Sequence, residues 1–382
     1  MKFNPALSAM DTYPFVRLEE EKARVAKRLG DLIDFGAGDP MERTPEFIRS
    51  ALVEALQEKS SYPRALGLPE LRMAICDWYE RRYDVKLDPD LEVLPTAGSK
   101  EAIFSLAQIM IDTRSDKNAV LVTEPGYPVP RRSARLNGAR VVSAPLLARN
   151  DFLIDVDDID SDTWRRLALV WVNYPNNPTG AVAPLEFFER LTEMAAEHDF
   201  VIASDEAYSE IYFGEPPPSA LQVADRSRVV AFNTLSKRSA MTAYRSGCVV
   251  ASGDVIDMFK RYRPVAGTAS QEFVQRAAIA AWGDEAHVEE TRSVYRAKRE
   301  VVLPFLERKG LQVEGSDATF YLWIRVPGDE TDETFASRLL EVGVVVAPGT
   351  FFGRAGQGYV RLALVPTLER CREAVGLLDG VL

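Results

Sequence analysis

Short, uninterrupted apolar runs recur along most of the chain, each separated from the next by a stretch with helical spacing. Ala119-Val120-Leu121-Val122 is one, and residues 167–172, 200–203 and 229–232 are others, all rich in β-branched side chains. Apolarity without alternation marks strands covered on both faces, as parallel strands in an α/β layer are. Segments 99–111 and 184–198 carry helical periodicity and supply the crossovers that parallel strands require. Residues from about 46 to 285 therefore predict a large doubly wound, mostly parallel sheet domain. Ahead of it, the charged stretch 19–28 predicts an exposed helix ending near Gly30, and 34–40 a short strand and turn. After Gly283-Asp284 the pattern shifts to a long charged helix reaching about Lys309. Strand-rich sequence follows at 319–326 and 342–346, which predicts a second, smaller α/β domain over 286–382. There is no internal repeat and no low-complexity segment.

Composition narrows the function. A chain of 382 residues, 46% hydrophobic, can bury a large core and has the length of two or more domains. Its formal net charge of −11 argues against a general nucleic-acid binder, and Arg131-Arg132 reads as solvated helix surface. Cys76, Cys248 and Cys371 have no paired spacing, so reduced thiols are expected. Only His198 and His287 are present, which gives little support to a histidine metal site or a Ser-His-Asp triad. The start, Met1-Lys2-Phe3-Asn4-Pro5, lacks an apolar signal core, and no run approaches the roughly 18 apolar residues of a membrane span. A cytoplasmic protein without membrane or nucleic-acid partners is the expectation. Gly36-Ala37-Gly38 fails as a dinucleotide fingerprint, because Met41 stands where the third glycine belongs and Pro40 interrupts.

The strongest chemical signal is Thr234-Leu235-Ser236-Lys237 with Arg245 eight residues after the lysine. An amine can hold an aldehyde covalently, while hydroxyls and a guanidinium bind a phosphate. Gly98-Ser99-Lys100 opens a helix after the run 91–95, and amide groups at such a start also bind phosphate. Asp205 follows the apolar run 200–203, which puts it at a strand's carboxyl end, where open α/β sheets bind ligands.

These residues stand in order with Thr96-Ala97-Gly98-Ser99-Lys100, Pro125-Gly126-Tyr127-Pro128, Asn176-Asn177-Pro178-Thr179-Gly180 and Ser204-Asp205-Glu206-Ala207-Tyr208. Together they resemble the class I aminotransferase family of pyridoxal 5'-phosphate enzymes, fold type I, over nearly the whole chain. The resemblance implies that Lys237 is the Schiff-base lysine and that Asp205 pairs with the cofactor's ring nitrogen. It implies that Tyr208 and Asn177 bond the ring oxygen and that Tyr127 stacks on the ring. Gly98, Ser99, Lys100, Thr234, Ser236 and Arg245 form the implied phosphate cradle. Arg361 matches the arginine that grips the substrate carboxylate, with Asn177 and Gly38 beside it. Tyr62 matches a tyrosine that reaches the phosphate of a neighbouring subunit, so a homodimer with shared sites is implied. The N-terminal segment 1–45 is implied to join the smaller domain. By residue type alone each has an ordinary reading too: Ser99 and Asp205 as caps, Tyr127 and Tyr208 as core, Asn177 and Gly38 in turns, Arg361 in an edge ion pair and Lys237 on the surface.

Within the family, Tyr13-Pro14-Phe15, Tyr208-Ser209-Glu210-Ile211-Tyr212-Phe213, Leu235-Ser236-Lys237-Arg238-Ser239, Asp284-Glu285-Ala286-His287-Val288 and Phe320-Tyr321-Leu322-Trp323 look like the N-succinyl-diaminopimelate aminotransferases of lysine biosynthesis. Those enzymes exchange an amino group between an amino acid and a 2-oxo acid, with 2-oxoglutarate as acceptor. Ala240-Met241-Thr242-Ala243-Tyr244, Arg64 and Gly267-Thr268-Ala269-Ser270 depart from that pattern. Arg64, two residues beyond Tyr62, is expected to meet an acidic substrate tail across a dimer interface, or else to be plain surface. A lyase, a cyclase or a secondary-metabolic aminotransferase of the same fold is the alternative, because pocket residues decide how the shared carbanion collapses. A non-catalytic regulator is a remote one, as no helix-turn-helix pattern precedes the first crossover helix.

Overall fold

The computed structural model describes residues 1–10, 14–59 and 61–382; Tyr13 of the Tyr13-Pro14-Phe15 stretch lies outside them. Among the described residues, thirteen strands fall in chain order: β1 Ile33–Asp34, β2 Val93–Thr96, β3 Ala119–Glu124, β4 Arg140–Pro145, β5 Leu167–Asn173, β6 Val201–Asp205, β7 Val229–Thr234, β8 Gly247–Val250, β9 Val313–Glu314, β10 Tyr321–Arg325, β11 Val344–Val345, β12 Ala347–Pro348 and β13 Tyr359–Ala363. Seven of them form a sheet in the order β2-β8-β7-β6-β5-β3-β4. Pairing is parallel from β4 through β3, β5 and β6 to β7, and only β8 runs against its neighbours. Val170, Val172, Ile202 and Val229 are buried on one face, and Leu169, Trp171, Ala203, Val230 and Phe232 on the other. Helices Ser99–Met110, Pro128–Leu136 and Leu185–His198 make the crossovers.

In this sheet the expected strands are present, and two others were not anticipated. β4 is an edge strand whose side chains are largely exposed, so its apolar run is broken by Arg140 and Ser143. β8 has four residues and begins with Gly247, too short a run to stand out. The chain passes from β3 out to the edge at β4 and then back to β5 on the other side of β3. That reversal opens a crevice at the strands' carboxyl ends, where Tyr127, Asn177 and Asp205 follow β3, follow β5 and end β6.

A second, antiparallel sheet has the order β12-β13-β10-β9, and β1 pairs in parallel with β11 beside it. Phe35 links the two, donating its N–H to Val345 at 2.9 Å and accepting that of Ala363 at 2.8 Å. The long helix Ala286–Arg308 packs Tyr295, Val302, Phe305 and Leu306 into this layer's core.

Two surface assignments need correction. The N-terminal helix runs from Pro14 to Leu29, longer than the charged stretch, and it is not simply exposed. Leu18 and Val25 are buried against Leu340 and Val345, because they lie a helical repeat apart on one side of an otherwise charged segment. Arg131 is not free surface either. Its guanidinium pairs with the carboxylate of Glu124 and donates to Ser143 Oγ at 2.8 Å. Among the described residues no helix is long and apolar enough to cross a membrane, and no cluster of His, Cys, Asp or Glu is arranged to hold a metal. The three cysteines are unpaired and buried.

The N-terminal segment is fastened to the C-terminal layer by a buried ion pair. Lys298, 1% exposed, pairs with Glu42 and also donates to the Leu364 carbonyl at 3.1 Å, while Tyr295 Oη donates to Glu42 at 3.0 Å. Removing one partner leaves the other buried without compensation. Glu42→Gln is therefore expected to cost about 3–5 kcal/mol, read as a lowered denaturation midpoint. The double change Glu42→Gln with Lys298→Met should recover much of the loss.

Candidate active site

A cleft of about 540 Å³ lies where the carboxyl ends of the large sheet face β10 and β13. Gly38, Ser99, Lys100, Tyr127, Asn177, Asp205, Tyr208, Thr234, Ser236, Lys237, Arg245 and Arg361 all line it, although they are scattered over more than 300 positions of sequence. Gly98 sits directly beneath, so close that a Cβ there would lie 2.5 Å from Arg245 Nη2. Tyr62 and Arg64 do not line the cleft. Both are exposed on the loop before the helix Pro69–Tyr83, and what is expected of them concerns the cleft of a second copy.

Lys237 lies in the one-turn helix Leu235–Arg238, directly after β7. Its Nζ donates to the Gly38 carbonyl at 2.6 Å and lies 5.7 Å from the centre of the Phe320 ring. Burial disfavours the charged amine and brings its pKa down to about 8, with Asp39 opposing that and Arg361 and Arg245 adding to it. A sizeable fraction is thus unprotonated, hence nucleophilic, in mildly alkaline solution.

Asp205 closes β6 and is 6% exposed. Burial pushes its pKa up to about 7, against the weaker opposing effects of the Ala207 N–H and the Lys237 charge. The carboxylate accepts a single bond, from Ala207 N–H at 3.3 Å, and among the described residues no cation stands within ion-pair distance. Asn173 fixes the strand ends, donating from Nδ2 to the Asp205 carbonyl at 2.8 Å and accepting Asn177 N–H at 2.9 Å.

Arg361, 2% exposed, donates to Asn177 Oδ1 at 2.9 Å and to the Gly36 carbonyl at 2.6 Å. Its Nε has no partner, and the guanidinium lies 4.2 Å from the centre of the Tyr321 ring and 4.6 Å from that of Phe352. Tyr321 Oη lies 2.8 Å from Tyr208 Oη. A Cβ on Gly38 would come within 2.2 Å of Tyr321 Oη, so glycine is required by that contact.

At the other end, helix Ser99–Met110 begins with Gly98 at φ +74° and has no side chain capping its first N–H groups. Lys100 in the first turn runs against the helix dipole, an arrangement suited to a bound anion. Thr234 acts as the cap of the lysine's helix. Its Oγ1 accepts the Ser236 N–H at 3.2 Å and lies 3.0 Å from both the Ser246 carbonyl and Ser236 Oγ. Its hydroxyl is thus largely engaged within the protein, a structural part that the implied phosphate role did not include. Phe15, Glu19, Asp39, Asn173, Tyr321 and Phe352 also line the cleft and were not singled out as site residues, although Phe15 and Tyr321 fall in stretches already noted.

Three features suit pyridoxal phosphate: an uncapped helix start beside Lys100, Ser236 and Arg245 for its phosphate, a buried carboxylate lacking a cation for its ring nitrogen, and an amine with a lowered pKa for its aldehyde. A family model for aminotransferases of class I and II matches residues 30–378. The chain belongs to this family. It is a pyridoxal-phosphate-dependent aminotransferase. It is 40% identical to the LL-diaminopimelate aminotransferase of Aquifex aeolicus, over 98% of this chain and 97% of that one. Among solved structures, an aminotransferase from Neisseria meningitidis matches with TM-score 0.93 at 37% identity, covering all of both chains. A probable N-succinyldiaminopimelate aminotransferase from Thermus thermophilus matches with TM-score 0.89 at 33% identity, covering 96% of this chain and all of that one.

A carboxyl whose folded-state pKa is raised above its unfolded value destabilises the fold as pH climbs from the unfolded value to the folded one. For Asp205 that window runs from the ordinary carboxyl value of 3.8 to about 7. In cofactor-free aminotransferase, Asp205→Asn should therefore raise Tm above that of the parent at pH 8, with the difference vanishing near pH 4. The free-energy gain has an upper bound of about 4 kcal/mol. Thermal melts of the two proteins across this range check it.

Proposed function

We propose that this aminotransferase takes LL-diaminopimelate as amino donor and 2-oxoglutarate as acceptor, in lysine biosynthesis. The observation that carries the reading is the 40% identity, nearly end to end, with an enzyme of that name. The cleft supports it. The far end of LL-diaminopimelate is zwitterionic, an ammonium beside a second carboxylate; N-succinylation converts that ammonium to a neutral amide and adds a further carboxylate. Asp39 and Glu19, the latter also paired with Lys22 at 2.5 Å, line this chain's cleft, and they favour a tail that carries an ammonium over one that carries two carboxylates. The succinylated substrate is the second reading; it is supported by the Thermus thermophilus structure, and Arg64 would serve it from a second copy.

When bound, pyridoxal phosphate supplies an aldehyde that accepts the amino group and a ring that draws electrons from the α-carbon. The proposed parts of the chain are these. Ser99, Lys100, Ser236 and Arg245, with Thr234 and the amides after Gly98, hold the phosphate, and Tyr127 covers the ring. Asp205 keeps the ring nitrogen protonated, and Tyr208 and Asn177 bond the ring oxygen. Arg361, with Asn177 and the backbone of Gly38, fixes the α-carboxylate, which puts the α-hydrogen within reach of Lys237. Lys237 then carries that proton as an amine, and its lowered pKa suits the task. We further propose that residues 1–45 work with 286–382 as the smaller domain against 46–285, and that the active unit is a homodimer completed by Tyr62.

Borohydride reduction of the cofactor-saturated protein should fix the label to Lys237, mapped by peptide mass spectrometry; an adduct at another lysine would overturn its role. Lys237→Ala should retain the cofactor through the phosphate contacts but lose turnover by several orders of magnitude. Mixing inactive Lys237→Ala with an inactive Tyr62 variant should restore activity, because one class of hybrid dimer has one site with both residues intact. Recovery that never appears after verified subunit exchange would refute the shared site.

For substrate, kcat/KM with LL-diaminopimelate and with its N-succinyl derivative decides between the two readings. Glu19→Gln and Asp39→Asn should each lower the preference for the free diamine by about 10- to 100-fold, the range of a charge-assisted contact. Arg64→Ala should leave that preference unchanged. A selective loss with the succinylated donor in Arg64→Ala would favour the second reading.

A further inference from the structure

Residues 238–239, just past the lysine and not used by the cofactor chemistry, meet the stretch 284–288 in the interior. Ser239, two residues after Lys237, is fully buried, with Oγ 2.9 Å from His287 Nε2. His287 Nδ1 lies 2.6 Å from Asp284 Oδ1, which also accepts the His287 N–H at 3.0 Å. A carboxylate facing Nδ1 makes that nitrogen the donor, and burial keeps the ring neutral by lowering its pKa. Nε2 is therefore the acceptor, and Ser239 donates to it. The scarcity of histidine argues against a Ser-His-Asp chain, yet these three form one. It is not a nucleophile's triad, because Ser239 has no exposed surface and does not line the cleft.

Beside it, Arg238 is 1% exposed and lies against a pair of touching indoles, 5.1 Å from the Trp78 ring centre and 4.9 Å from that of Trp282. Its Nη2 donates to Glu285 Oε1 at 2.9 Å. Thr44 Oγ1 donates to the carbonyl of Ala240 at 2.6 Å, so the next residue is pinned as well. The helix that carries Lys237 has only four residues, and an isolated turn of helix is unstable on its own. Its geometry must come from outside, and the contacts at its C-terminal end supply it.

We infer that Ser239 and His287, with Asp284 fixing the ring's tautomer, are positioning residues that hold Lys237 in register with the cleft. This rests on reading Lys237 as the reactive amine. The groups that set the amine's charge are Asp39, Arg361, Arg245 and Asp205, together with the Gly38 carbonyl. Loosening the helix moves the amine relative to all of them and lets water in. A shift of order 1 Å in a reacting group costs about 100-fold in rate.

The test uses Ser239→Ala, His287→Leu and His287→Gln, the last keeping an acceptor at the reach of Nε2. In cofactor-free protein, the pH midpoint for acetylation of Lys237, followed by peptide mapping, should lie near 8 in the parent. It should rise toward the ordinary lysine value in Ser239→Ala and His287→Leu and return in His287→Gln. In the loaded enzyme kcat should fall about 10- to 100-fold with the KM for the amino donor unchanged. The double variant should be no worse than the worse single one. A lowered Tm with the midpoint and kcat of the parent, or additive losses in the double variant, would overturn the inference. Should His287→Leu fail to fold, Ser239→Ala alone decides. Borohydride labelling of the parent at a lysine other than 237 would instead overturn the role of Lys237 on which the inference rests.

Discussion

A carboxylate buried at the end of a parallel strand needs a cation, and the strands around Asp205 leave room for one only on the cleft side. β5 and β7 flank β6 in parallel register, with Asn173 opposite Asp205 on one side and Phe232 opposite it on the other. Both faces of the sheet are sealed by apolar side chains, so the acid is approached from the cleft. The direction of the three strands then dictates where every other group must stand. Tyr127, Asn177 and Lys237 each come within a few residues of a strand's carboxyl end, and the antiparallel sheet brings Arg361 and Tyr321 over them.

The parallel strands were legible because burial on both faces leaves an unbroken apolar run. The same rule hides β4, where edge exposure mixes Arg140 and Ser143 into the run, and β8, where four residues give no pattern. Motif residues at strand ends were legible from type and order. Phe15 and Glu19 were not, because they reach the cleft from a helix that carries no reactive motif, and its charged surface conceals the buried Leu18 and Val25. Tyr321 shows a related limit. An aromatic inside a strand reads as core, and only the folded chain puts its hydroxyl on Tyr208 and its ring under Arg361. Tyr62 and Arg64 are a different case, since what is expected of them depends on a second chain.

The single-turn helix of Lys237 shows how reactivity and fastening are divided along one short segment. Thr234 caps its start, and Ser239, Arg238 and Ala240 are tied down at its end by partners from four other parts of the chain: Thr44, Trp78, Trp282 and the Asp284–His287 turn. Thr234, Ser236 and Lys237 line the cleft. The charges among the contacts that hold the segment are matched locally, Arg238 by Glu285 at 2.9 Å.

The cleft itself is left under-satisfied. Asp205 lacks a cation, Arg361 Nε lacks an acceptor, and Lys237 is pressed toward its neutral form. Each of these raises the free energy of the empty protein, and each is relieved by one part of the expected ligands: ring nitrogen, substrate carboxylate and cofactor aldehyde. Binding energy thus comes partly from strain the fold already carries, and the surrounding core must supply the stability that the site gives up.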